Sequence, residues 1–224
     1  MAVDRNISIE FRKTVLKMSA ESMIRSVFIV ICCWLSSHNC FGQLLALPSQ
    51  PWPNPRTITV SFAPDLVEIG RFRNELFMHM NDHLSFPDWQ IEMLRACQLW
   101  SRHCGVQFAL VPDSARAFGV PGLSQADPRF GDIRIGAFPQ TNVLGNVIGF
   151  HPGHGSWSGD LFLDTNRQFY FHNWSSGSIP NHQFDLFTVA MHELGNALGL
   201  IDDELNSQSV MFSSYTGPRN ALHS

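Results

Sequence analysis

The sequence predicts an α+β domain in which a twisted mixed β-sheet packs with two long helices. Three observations carry that expectation. Short segments of strand-like, apolar-rich pattern recur through the middle of the chain, at 58–62, 106–111, 132–138 and 143–150. One strongly amphipathic stretch, 89–100, lies among them, and a second helical pattern opens only after the last strand-like segment. The composition permits a sizeable core, because only 15% of the 224 residues are charged and Phe alone contributes 18.

In chain order, residues 43–56 (QLLALPSQPWPNPR) are Pro-rich and form an extended leading segment, with the folded domain expected over 57–224. ITVSF at 58–62 is a strand, closed by Ala63-Pro64-Asp65. Residues 66–87 are ambiguous: Leu66, Ile69, Phe72, Leu76 and Phe77 suggest a helix, with Pro87 as its limit. WQIEMLRACQLW at 89–100 is a helix whose buried side is expected to be Ile91, Leu94, Ala96, Leu99 and Trp100. Gly105 permits a turn into the strand at 106–111, and 112–130 is a long loop. DIRIGAF at 132–138 is a strand with Ile133 and Ile135 on one face. After 143–150 come the turn-rich HPGHGSWSG, then DLFLD and QFYFH, then a loop at 173–182. No internal repeat or low-complexity tract is present.

Residues 23–42 (MIRSVFIVICCWLSSHNCFG) have one Arg, an apolar run and then small or polar residues, the layout of a secretory signal peptide. The leader is therefore 1–42, and the product is expected to be secreted or extracytoplasmic. The polar, mixed-charge residues 1–22 are unusual ahead of a signal, and Met18 or Met23 would serve as an alternative start. Residues 1–42 hold 5 basic and 3 acidic residues; the rest of the chain has 10 Arg, no Lys and 16 acids, a formal charge of −6. That balance disfavours nucleic acid and an anionic membrane surface as partners. Cys97 and Cys104 remain after the leader. Seven residues apart on one helix they are too distant to bond, so a disulfide requires the helix to end between them, with two buried thiols as the alternative.

The most informative stretch is HELGNALGLIDD, 192–203. The apolar spacing of Phe184, Phe187, Met191, Leu194 and Leu198 predicts a helix with Asp185 as N-cap. On it His192 and Asn196, four apart, share a face, and Glu193 lies beside them. Gly199 can take the positive φ that ends a helix, so the chain turns and returns Asp202 to that face. A His, an adjacent Glu and a returning Asp are components of a zinc site with its own general base. The second ligand of the zinc-peptidase pattern, however, is a His, and here it is Asn196, whose neutral amide is a much weaker zinc donor.

The order His192, Glu193, position 196, Gly199, Asp202, with Ser209-Val210-Met211 downstream, resembles the metzincin layout with its Met-turn. The succession of elements over about 52–215 is similar to the catalytic domain of matrixin-type metzincins. That resemblance implies a secreted zinc metalloendopeptidase acting, as a monomer, on proteins in an extended conformation, with substrate added as an antiparallel strand along 143–150. It implies His192, position 196 and Asp202 as metal ligands, Glu193 as the catalytic base, Met211 packed beneath the metal, and Tyr215 bordering the pocket after the cut bond. For Met211 and Tyr215, ordinary core packing predicts the same burial. Asn196 is the departure: activity is expected to be impaired, and an inactive, peptide-binding pseudo-peptidase is the alternative.

The resemblance also bears on further metals. Asp160 and Asp164 match acids that bind calcium in some relatives. Ile148 and Phe162 stand where two His ligands of a second, structural zinc would be, so that zinc is not expected, and His151 and His154 are assigned to an exposed loop, without His172 completing a site. No PRCGxPD-like segment is present. The closing helix that normally follows Tyr215 has no counterpart, which predicts uncovered apolar surface and lowered stability.

Overall fold

A computed structural model describes residues 51–140, 147–149 (backbone only), 153–172 and 182–222. The leader, the first part of the 43–56 segment, His151 and most of the 173–182 loop lie outside the described residues. The central sheet has five strands: β1 (Thr57–Phe62), β4 (Gln107–Leu110), β5 (Ile133–Phe138), β6 (Val147–Gly149) and β7 (Leu161–Asp164). Their order across the sheet is β4-β1-β5-β7-β6. The pairs β1–β4, β1–β5 and β5–β7 are parallel, whereas β6 runs antiparallel to β7 and forms one edge. The sheet is therefore mixed, as the sequence predicts.

The pleat sorts the side chains. Ile58, Val60, Phe62, Ile133, Ile135, Ala137, Leu161 and Leu163 all enter one core with the helices, and their neighbours of opposite parity point the other way. Phe162 thus belongs to a second, smaller cluster with Ala63, Val67, Ile69 and Phe118. Arg134, also on that side and only 1% exposed, is held by two hydrogen bonds to the Asp113 carboxylate at 2.6 and 2.8 Å.

The ambiguous segment 66–87 divides into two structures. Its first part is a tight antiparallel hairpin, β2 (Glu68–Ile69) and β3 (Phe72–Arg73), turning at Gly70 with φ 57°. Its second part is a short helix, α1 (Leu76–His83), burying Leu76 and Met80. The Asp65 carboxylate accepts from the N–H groups of Phe77 and Met78 at 2.8 and 2.9 Å. That local bond starts the helix after the hairpin instead of at Leu66.

Helix α2 (Asp88–Cys104) is continuous and ends at Gly105, which takes the left-handed φ of 68°. Its buried stripe is Trp89, Met93, Ala96, Cys97 and Trp100. This corrects the expected face: Ile91 is 50% exposed, and Leu94 and Leu99 are only partly buried. The stripe steps by three and four from Trp89, so the largest ring, not the aliphatic Ile91, sets the helix rotation. Because the helix is unbroken, Cys97 and Cys104 are separated by about 10 Å of rise and form no disulfide. Cys97 is buried, but Cys104 is exposed, contrary to the expectation of two buried thiols.

Helix α3 (Leu186–Ala197) follows a two-stranded parallel ladder of β8 (Gln168–Tyr170) and β9 (Gln183–Asp185). It packs on α2, where the Trp100 indole N–H donates to the Met191 carbonyl at 2.9 Å. No helix lies within 198–222. Instead Leu222 packs against the core and the Arg219 N–H donates to Thr188 Oγ1 at 2.7 Å, tying this segment to the start of α3. Among the described residues, no helix is long and apolar enough to cross a membrane.

Candidate zinc centre

Helix α3 begins where the sequence predicts. Asp185 is its N-cap, accepting from Thr188 N–H at 3.0 Å and Thr188 Oγ1–H at 2.6 Å. The same carboxylate accepts from the His172 N–H at 3.0 Å, so one buried side chain joins the β8 end to the helix start. The helix ends in a Schellman motif: Gly199, at φ 100°, donates to Asn196 O at 2.9 Å, and Leu200 donates to Gly195 O at 3.0 Å. That reversal returns Asp202 to the face of His192.

A clasp then fixes the following loop. Asp203 donates its N–H to Met211 O at 2.6 Å and accepts from Ser213 N–H at 3.1 Å. Its carboxylate accepts from Leu205 and Asn206 N–H at 2.9 and 3.0 Å. The loop so held presents the Val210 carbonyl, to which His192 Nδ1–H donates at 2.9 Å. A carbonyl oxygen only accepts, so the proton on Nδ1 is fixed and Nε2 faces the site. Met211 lies completely buried beneath the helix against Gly195. A Cβ at Gly195 would come within 2.3 Å of the Met211 sulfur, so that approach requires glycine.

The three polar ends converge. His192 Nε2 lies 3.3 Å from Asp202 Oδ1. Asn196 Nδ2 is 3.4 Å from His192 Nε2 and 3.4 Å from Asp202 Oδ1. Ligands at about 2.0–2.1 Å from one tetrahedral zinc are themselves about 3.3–3.4 Å apart. The triangle thus has the size of one face of a zinc coordination shell. Its third corner carries the wrong atom: an NH₂, which donates, sits where a lone pair is needed. Asn196 Oδ1 is meanwhile buried without a hydrogen-bond partner, and a half-turn of the amide exchanges the two atoms. The residues fit zinc as an N,O,O set, weaker than one with two imidazoles.

Glu193 is buried beside this triangle. Burial pushes its carboxyl up to about 7, the His192 charge and the Asn196 amide pull it back, and Asp202 adds to the rise. At His192 burial acts downward but is outweighed by the hydrogen bond to Asp202, by Glu193, by the Val210 carbonyl and by the Asp202 charge, which together lift the imidazole to about 9. A proton there occupies the nitrogen a metal would need, so zinc binding must release it.

Tyr215 stands at the start of α3, where its hydroxyl accepts the Asp185 N–H at 3.0 Å and its ring packs edge-on to Phe184. The two acids matched to calcium are buried in protein contacts. Asp164 accepts from the Gln140 and Asn166 N–H groups at 3.0 Å each. Asp160 lies near the Arg134–Asp113 pair, and burial raises its pKa well above the usual carboxylate range. Among the described residues, no group of three or more His, Cys, Asp or Glu is placed to hold a metal. Phe162, in the place of a second-zinc ligand, packs edge-on to Phe118.

The family model of the matrixins matches residues 76–223, two thirds of the chain and all of the centre just described. The chain belongs to the matrixin family. Members of that family are zinc metalloendopeptidases, and membership supports that class here. Matrix metalloproteinase-17 of Homo sapiens is 32% identical over 127 residues, which are 56% of this chain and 19% of that protein. Matrix metalloproteinase-25 of Mus musculus is 39% identical over 69 residues, 31% of this chain and 10% of that protein. Karilysin of Tannerella forsythia is 33% identical over 82 residues, 37% of this chain and 16% of its own. The chain therefore spans at most about a fifth of these relatives' length.

The His192, Glu193, Asn196 and Asp202 constellation, the Asp185 cap and the Gly199 stop were all legible beforehand. Asp203, Gly195 and Val210 were not. Gly195 left a signal, since a glycine in a helix interior costs about 1 kcal/mol relative to Ala and so points to a close approach. Val210 acts through its backbone, which no side-chain pattern reveals.

Proposed function

We propose that this chain is a secreted zinc-dependent metalloendopeptidase of matrixin type whose activity is impaired by Asn196. The observation that carries the reading is the 3.3–3.4 Å triangle of His192 Nε2, Asp202 Oδ1 and the Asn196 amide beside a buried Glu193. His192, Asp202 and, through Oδ1, Asn196 would hold the metal. When bound, zinc lowers the pKa of a coordinated water and polarises the scissile carbonyl. Glu193, buried beside the triangle, would take a proton as general base. Met211 supports the helix from below. Tyr215 borders the pocket for the residue after the cut bond. Substrate in extended form would pair with β6, the edge strand of the described sheet, which lies beside α3. Calcium at Asp160 and Asp164 is the weakest part of the family carry-over, because both carboxylates already lie inside the protein.

One observation favours a second reading. The Asn196 NH₂ lies 3.4 Å from both His192 Nε2 and Asp202 Oδ1, in the position a cation would bridge, which would keep metal out of the centre. The chain would then bind extended peptides without cutting them. Elemental analysis of the purified chain and a fluorogenic peptide assay separate the two. Slow, chelator-sensitive cleavage with substoichiometric zinc supports the peptidase reading; peptide binding with no cleavage at saturating zinc supports the pseudo-peptidase and sinks the first.

A further inference from the structure

Helix α1 carries a feature that the matrixin centre does not use. Glu75, His79 and His83 follow one another at four-residue steps, so they form a stripe along one side of the helix. The His79 and His83 rings lie with centroids 5.1 Å apart at 75°. Two imidazoles that share one tetrahedral ion at about 2.0–2.1 Å have centroids about 5 Å apart. The pair therefore already has the separation of a chelate.

A hydrogen bond on the His79 ring favours the same use. His79 Nε2–H donates to the Arg167 carbonyl at 2.9 Å, which leaves the lone pair on Nδ1. A carbonyl behind the ring that fixes the tautomer is the usual support of a metal-binding histidine. Burial, and then the neighbouring His83, lower the pKa of His79, so it is neutral and able to ligate at neutral pH. Glu75 and Asp164, the latter paired with Arg167 at 3.5 Å, place negative charge near this ring. His83 is also the last residue of α1, where the helix dipole favours a cation.

We propose that His79 and His83 form a binding site for a divalent transition-metal ion that prefers imidazole, such as copper or zinc, with Glu75 and Asp164 supplying the attracting field. The site shares no residue with the His192 centre and does not depend on how that centre works.

Copper(II) alone, added below one equivalent to the full chain, is the probe. Electron paramagnetic resonance reads the nitrogen ligands, and competition with a chelator of known affinity gives the binding constant. The unaltered chain and His192→Ala are expected to show the same two-nitrogen signal. His83→Gln, a change at an exposed ring, should lose it and bind roughly tenfold or more weakly. His79→Gln, which can still donate to the Arg167 carbonyl, should do the same while unfolding at an unchanged temperature. Binding by His83→Gln equal to the parent overturns the proposal, as does a signal that disappears in His192→Ala and persists in both α1 variants.

Discussion

Asn196→His is the perturbation on which the reading of the centre turns. The amide nitrogen now stands 3.4 Å from both His192 Nε2 and Asp202 Oδ1, so position 196 already projects to the third corner of the triangle. A histidine there needs no backbone change, and Asn and His have similar helix propensity. The gain can be sized. Zinc held by a full set of protein ligands contributes on the order of 10–16 kcal/mol, so restoring one of three should recover about 4 kcal/mol or more. At 1.4 kcal/mol per factor of ten, that is roughly a thousandfold in affinity. Asn196→His is expected to bind one equivalent of zinc tightly and to hydrolyse a fluorogenic peptide in a chelator-sensitive way. Glu193→Ala on that background should keep the metal and lose cleavage. If the unaltered chain carries one tight zinc and cleaves as fast as Asn196→His, the amide is a competent ligand and the reasoning fails.

Other expectations rest on separate contacts. Gly195→Ala places a methyl 2.3 Å from the Met211 sulfur; overpacking of about 1–3 kcal/mol should exceed the roughly 1 kcal/mol gained in helix propensity, so urea unfolding should show a net loss. A variant as stable as the parent would mean that Met211 can yield. Alkylation followed by mass spectrometry should modify exposed Cys104 in the native protein and spare Cys97, whose burial pushes its thiol up to about 12; equal labelling would contradict the packing of α2. N-terminal sequencing of exported protein should begin near Gln43, and an intact leader on a cytoplasmic product would remove the case for secretion.

What the sequence revealed and what it concealed follow a physical division. Periodicity located α2, α3 and the strands because burial acts on side chains at fixed spacing. It misplaced the buried face of α2 because an aliphatic and an aromatic residue two positions apart compete for the core, and ring area decides between them. The hairpin at 68–73 was hidden because two-residue strands have no period to read. At the centre, His192, Glu193, Asn196 and Asp202 were visible as chemistry on a helix followed by a turn. The clasp that aligns them, Asp203 to Met211 and Val210 to His192, is made largely of backbone groups separated in sequence. Side-chain identity carries almost no information about such bonds.

That division also means that one side chain of the centre can change while the fold stays intact. The cap at Asp185, the stop at Gly199 and the packing of Met211 under Gly195 use no side-chain atom of position 196. In the unaltered chain the amide hydrogens face Asp202 at 3.4 Å, while Asn196 Oδ1 stays buried without a partner. With His at 196, two imidazoles and a carboxylate would converge, and holding both rings neutral there leaves lone pairs opposed unless an ion joins them. The stability of Asn196→His should therefore depend on metal, and that of the unaltered chain should not. Zinc at about a hundredfold above its dissociation constant stabilises a native state by about 2.7 kcal/mol. For a domain of this size each kcal/mol moves the midpoint by about 2–4 °C. A strong chelator should lower the unfolding temperature of zinc-loaded Asn196→His by roughly 5–10 °C and leave that of the unaltered chain within about 1 °C. An equal fall in both, measured by calorimetry, would show that the unaltered centre holds zinc after all and that the amide has turned its oxygen inward to bind it.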